Sequence, residues 1–167
     1  MDFCVDETQW GYIGVAVHNG KVVRVILPCN KESEVWKKLK ETQGLECTDG
    51  GEKGSFASEV AKELIKYFEG EKVPLDFPVS YLSGTSFQKK VWDAVRDIPY
   101  GETRTYSWIA KELGNPRAAR AVGGALARNP VPLLVPCHRV TGRRGNLGGF
   151  FYGVEMKKTL LKLEGVL

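Results

Sequence analysis

The chain has little cysteine: four in 167 residues, with no Cys-x-x-Cys pair, so neither a disulfide scaffold nor a zinc ribbon fits. Cys4, His18, Cys29 and Cys47 show no metal-ligand spacing, and no metal site is expected. No apolar run reaches the ~18–20 residues that cross a bilayer, so no membrane partner is expected. The opening Met1-Asp2-Phe3-Cys4-Val5-Asp6-Glu7 lacks the basic-then-apolar order of a secretory signal. The expectation is a cytoplasmic protein, or a nuclear one in a eukaryote. With 43% hydrophobic and 26% charged residues the chain can bury a core, which excludes intrinsic disorder.

Acidic charge is scarce in one half only. Residues 1–78 carry 10 Lys and Arg against 14 Asp and Glu, whereas residues 79–167 carry 14 against 6. The net of +4 thus conceals an acidic half and a basic one, and the basic half is the one suited to a polyanion.

The first half reads as α+β. Two β-rich runs, Trp10 to Val17 and Lys21 to Leu27, flank Asn19-Gly20, a strong hairpin signal. Ser33 to Thr42 and Ser55 to Glu69 read as helices, the second with Phe56, Val60, Leu64 and Phe68 at i+4 spacing and Ser55 as its cap. Cys47 to Gly54 reads as a loop. Nothing here forms a catalytic constellation, so residues 1–78 are expected to be a scaffolding domain. The proline-flanked connector Val73 to Pro78 marks its end.

Residues 79–167 read as a mostly helical second domain. Ser86 is expected to cap a helix from Phe87 to Asp97, stopped by Pro99-Tyr100-Gly101. Tyr106 to Leu113, a turn at Gly114-Asn115-Pro116, and Arg117 to Arg128 have the size of a helix-turn-helix. The second of these helices is nearly all Ala and Gly around Arg120, a smooth face that another surface can approach closely. Such a helix offers few side chains for reading base edges, which disfavours a sequence-specific regulator, the main alternative function. A cysteine hydrolase using Cys137 and His138 is a third class.

An apolar run, Val131 to Pro136, leads into Cys137, His138 and Arg139. Cations beside a thiol lower its pKa while apolar surroundings raise it, so the residue reads equally as nucleophile or as buried filler. On an extended strand Cys137 and His138 would face opposite ways, so the chain must turn here or a water must link them.

Pro136-Cys137-His138-Arg139-Val140 resembles the active-site signature of the 6-O-alkylguanine-DNA alkyltransferases. The resemblance extends through Gly84-Thr85-Ser86-Phe87-Gln88, Ile98-Pro99-Tyr100-Gly101 and Arg120-Ala121-Val122-Gly123 to Lys157, Leu160-Leu161 and Glu164. It implies a ribonuclease H-like, hairpin-led α+β domain before a helix-turn-helix domain. It implies repair by irreversible, single-turnover transfer of the alkyl group to Cys137 after nucleotide flipping, with 4-O-alkylthymine as a second substrate. His138 would act as base through a water, Glu164 would orient His138, and Asn129 would hold the reactive segment. Tyr106 would donate a proton to the leaving guanine and Arg120 would fill the vacated stack. Ala119, Ala121, Gly123, Thr105 and Arg139 would join Arg120 in meeting DNA. Pro132, Phe150 and Phe151 would wall the base pocket, with Phe150 where the family often has Tyr. The implied partner is double-stranded DNA held through its minor groove with little sequence preference by a monomer, without a cofactor.

Overall fold

The computed structural model describes residues 1–42, 44 and 54–167. Cys47 and most of the expected 47–54 loop lie outside the described residues. The chain divides into two compact units, one of residues 1–83 with 130–134 and one of residues 84–129 with 135–167. The first unit thus ends a few residues beyond the expected 78 and regains a short piece of chain from the second half. Its end shifts because residues 78–80 still pair with the sheet: Val22 donates to the Pro78 carbonyl and Ser80 to that of Val22.

In the first unit β1 (Asp2–Thr8), β2 (Gly11–His18) and β3 (Lys21–Cys29) form an antiparallel sheet in the order 1-2-3. Asn19 and Gly20 both adopt positive φ, 50° and 70°. That is the turn whose twist matches paired strands, and it is why Asn-Gly marks a hairpin. Helix α1 (Glu32–Lys40) lays Val35 and Leu39 against Phe3, Ala16, Val23 and Ile26. Helix α2 (Phe56–Phe68) buries Val60, Leu64 and Phe68 of the expected stripe and leaves Phe56 half-buried, and its expected Ser55 cap accepts from the Ser58 N–H. Strand β1 was not expected, because Asp2, Asp6 and Glu7 dilute its β pattern. Val25 donates to the Pro130 carbonyl, which ties residues 130–134 into this unit; within them Leu133 holds a φ of 73°.

The second unit is mainly helical. Helix α3 (Ser86–Arg96) is capped by Thr85 rather than by Ser86. The Thr85 hydroxyl accepts from the Gln88 N–H while the Gln88 side chain accepts from the Thr85 N–H, a reciprocal capping box. Strand β4 (Arg104–Thr105) pairs in parallel with β5 (Val140–Thr141), a contact too short to leave a periodic signal. Thr105 then caps α4 (Tyr106–Glu112), and α5 (Ala119–Leu126) follows, shorter at both ends than Arg117 to Arg128. Trp92 of α3 is buried and donates its indole N–H to the Ala125 carbonyl, fastening α5 to α3. Helix α6 (Val154–Leu163) buries Lys157, Leu160 and Leu161.

Candidate active site

Between β5 and the end of α5 the chain does turn at the reactive segment. Cys137–Arg139 form one 3-10 turn in which Arg139 donates to the Pro136 carbonyl at 2.9 Å. Asn129 is buried and donates its side-chain N–H to the Val135 carbonyl at 2.8 Å, bracing the chain two residues before Cys137. The turn gives Cys137 and His138 separate surroundings. Cys137 reaches a cavity of about 630 Å³, while His138 is fully enclosed.

The cavity is lined by Thr105, Tyr106, Ala119, Arg120, Gly123, Cys137, Gly149, Phe150 and Phe151, among others. Arg120 and Phe151 are exposed at it; Cys137 is only 5% exposed. Burial pushes the Cys137 thiol up, against the downward pulls of the Asn129 side chain and the Lys157 charge. In the resting protein Cys137 is therefore a thiol awaiting a base, the apolar surroundings outweighing the cations.

His138 Nε2 lies 2.7 Å from Glu164 Oε1. Burial pushes the imidazole below its ordinary value; Glu164 opposes this, and the Arg139 and Lys157 charges add to it. Glu164, at the C-terminal end of α6, moves the other way. Burial alone would raise it, but hydrogen bonds and charges from His138 and Arg139 hold its carboxyl far below the usual carboxylate range.

Tyr106 stands at the start of α4, with its hydroxyl donating to the Gly149 carbonyl at 3.2 Å. Burial pushes its phenol up, and a thiolate at Cys137 would add to the rise, which keeps the proton on it. Lys157 donates to the Tyr106 hydroxyl at 3.2 Å and to the Gly149 and Val140 carbonyls at 3.1 and 2.5 Å. Burial pulls its ammonium down to about 8, with Cys137 opposing. The sequence reading assigned Lys157 no role. The signal was present: Lys157, Leu160 and Leu161 share the i, i+3, i+4 stripe of α6, and a lysine there has to find acceptors.

Two expected positions differ. Arg139 is not at the surface: it is buried, with Nε and Nη2 each 2.9 Å from Glu164 and Nη1 2.7 Å from the Ile98 carbonyl. A guanidinium engaged on three acceptors has no fork left for a phosphate. Pro132 is not among the residues that line the cavity. Ala121 is exposed on α5 but lies outside the cavity lining.

Residues 86–166 match the family model for the 6-O-methylguanine DNA methyltransferase DNA-binding domain. The chain is 52% identical over 114 residues to the methylated-DNA–protein-cysteine methyltransferase of Methanosarcina acetivorans, covering 68% of this chain and 72% of that one. It is 40% identical over 161 residues to the constitutive enzyme of that name from Bacillus subtilis, covering 96% and 93%. The chain belongs to the 6-O-methylguanine-DNA methyltransferase family. A solved methyltransferase of this family, Mycobacterium tuberculosis OGT in complex with DNA, matches 99% of this chain and 93% of its own at 36% identity and a TM-score of 0.79. A family member from the archaeon Pyrococcus kodakaraensis matches 98% and 99%, at 29% identity and a TM-score of 0.73. The similarity to both methyltransferases spans the first unit as well as the second, so the mixed α/β layout is common to the three.

Proposed function

We propose that this chain repairs DNA by taking the alkyl group of 6-O-alkylguanine onto Cys137, once per molecule. The observation that carries this reading is the placement of a single buried thiol at a cavity wall. His138, paired with Glu164, follows it in the turn, and a phenol held protonated lines the same cavity. His138 takes the thiol proton through a water, and the sulfur attacks the alkyl carbon. The carbon–O6 bond breaks as Tyr106 gives a proton to guanine. Counted over the whole reaction, the thiol proton ends on the guanine and a thioether remains on Cys137. A thioether has no easy hydrolytic exit, which makes the reaction stoichiometric. No step calls for a metal or an organic cofactor.

An alkyl group on guanine O6 is stacked inside a duplex, so the nucleotide must leave the stack at a cost of a few kcal/mol. Helices α4 and α5 fit a helix-turn-helix whose second member lies in the minor groove. Exposed Arg120 fills the gap there, and Thr105, Ala119 and Gly123 line the path to Cys137. The Ala and Gly surface of α5 supports binding with little sequence preference, as a monomer. The hairpin-led first unit serves as a ribonuclease H-like scaffold. Alkylated thymine offers the same chemistry at its O4, and the cytoplasm, or a eukaryotic nucleus, is the compartment in which the substrate occurs.

The test is intact-mass spectrometry after incubation with duplex DNA carrying one 6-O-methylguanine. One added methyl per chain, located on Cys137, is expected. An unmodified protein, or a methyl on another residue, overturns the reading.

A further inference from the structure

Arg139 lies beside the proposed relay, yet the roles given to Cys137, His138 and Glu164 leave it without one. The Glu164 carboxylate, whose side chain is fully buried, accepts from three donors, Arg139 Nε and Nη2 and, at 3.3 Å, the Gly101 N–H, and its Oε1 lies 2.7 Å from His138 Nε2. A guanidinium charge forked onto both oxygens holds the carboxyl in its ionised, acceptor-only form. His138 Nε2 must then hold the ring proton, which makes Nδ1 the nitrogen that can accept one.

We propose that Arg139 is the positioning residue that holds His138 in its Nε2–H tautomer, by pinning Glu164 as an acceptor-only carboxylate. The arrangement is built for it. The guanidinium forks onto both Glu164 oxygens, and its remaining arm is anchored on the Ile98 carbonyl at 2.7 Å. The Tyr100 ring lies 5.7 Å away beneath the cation, and the Tyr100 hydroxyl donates to the Leu163 carbonyl, one residue before Glu164. Removing Arg139 takes two donors and the counter-charge from a buried carboxyl. Glu164 would take up a proton from solvent and donate it toward Nε2, the ring proton would move to Nδ1, and the nitrogen available to the Cys137 proton would be lost. The charges facing His138 are Glu164 at the end of α6, Lys157 within α6 and Arg139 in its own turn, with the neutral Cys137 thiol beside it. Burial first, then the Arg139 and Lys157 charges, oppose a second proton on the ring while Glu164 favours one; the net direction is down, so the resting imidazole is neutral. A lysine would supply the charge but not the fork.

The catalytic consequence rests on His138 acting as the base; the tautomer does not. The chain has two histidines, so long-range 1H–15N spectra of the unreacted protein, with His18→Gln for assignment, read His138 directly. The wild-type ring is expected to be protonated at Nε2 and bare at Nδ1 at neutral pH. Arg139→Gln should show the Nδ1–H form at neutral pH, and its methyl-transfer rate should fall about tenfold or more. Arg139→Lys should keep the wild-type tautomer and recover part of the rate. A wild-type or Arg139→Lys ring protonated at Nδ1 overturns the proposal, and does so even if Arg139→Gln fails to fold. A folded Arg139→Gln protein with the wild-type tautomer and rate overturns it as well. Expected spectra in a wild-type protein that acquires no methyl would instead overturn the repair reading and leave the tautomer assignment standing.

Discussion

A β-carbon on Gly148 would stand 2.6 Å from the Tyr106 hydroxyl oxygen and from its ring edge. The loop before α6 therefore presses its backbone onto the phenol, and it reaches that position with a φ of 72° at Gly148. Gly148→Ala should move Tyr106 off the Gly149 carbonyl and slow methyl transfer at least tenfold. It should also lower stability by about 1–2 kcal/mol from the left-handed backbone alone. Single-turnover kinetics and thermal melts check both. An unchanged rate would show that the phenol position does not limit transfer.

Cys137→Ser should abolish methyl transfer and leave duplex binding within a few-fold, because phosphate contacts come from elsewhere on the surface. Cys4→Ser, Cys29→Ser and Cys47→Ser should each stay active. Mass spectrometry and a gel-shift titration run on the same preparations separate the two quantities.

Arg120 is exposed at the cavity, so its work is expected to lie in DNA distortion. Arg120→Ala should slow repair more than it weakens binding to undamaged duplex. An abasic site opposite the lesion should restore part of the rate, since less unstacking is then required. Equal losses of binding and repair, with no rescue, would make Arg120 an ordinary phosphate contact.

Lys157 has a folded value of about 8 against an ordinary 10.5. Between these the unfolded chain holds a proton that the folded chain has released, so the Lys157 contribution to stability rises with pH across that window. Denaturant melts of wild type and Lys157→Met should differ by a constant amount below about pH 8 and diverge in favour of wild type above it. A difference that is flat through pH 10 would mean that the buried ammonium keeps its proton.

Much of this was legible from the residues, and what was not has physical causes. The β2–β3 hairpin was readable because Asn19-Gly20 is a local signal, and α2 because its stripe repeats over several turns. Strand β1 was missed because its stability comes from pairing with β2 and not from its own acid-interrupted pattern. Cys137, His138 and Arg120 stand out in the sequence itself, whereas the roles of Glu164 and Tyr106 follow from resemblance, and the positions of all five follow from contacts among distant segments. Arg139 was misread as a DNA contact because charge alone does not reveal burial. Its partner Glu164 lies 25 residues further on, beyond any local rule.

The detour of residues 130–134 also bears on how the chain is made. A ribosome delivers residues 1–83 first, and a domain whose chain is complete can fold as it emerges. This first unit lacks its final piece until the chain has passed through all of α3, α4 and α5. The piece that completes it ends three residues before Cys137. The first unit is finished and the reactive segment set at nearly the same moment of synthesis, so a nascent chain interrupted before that point has neither.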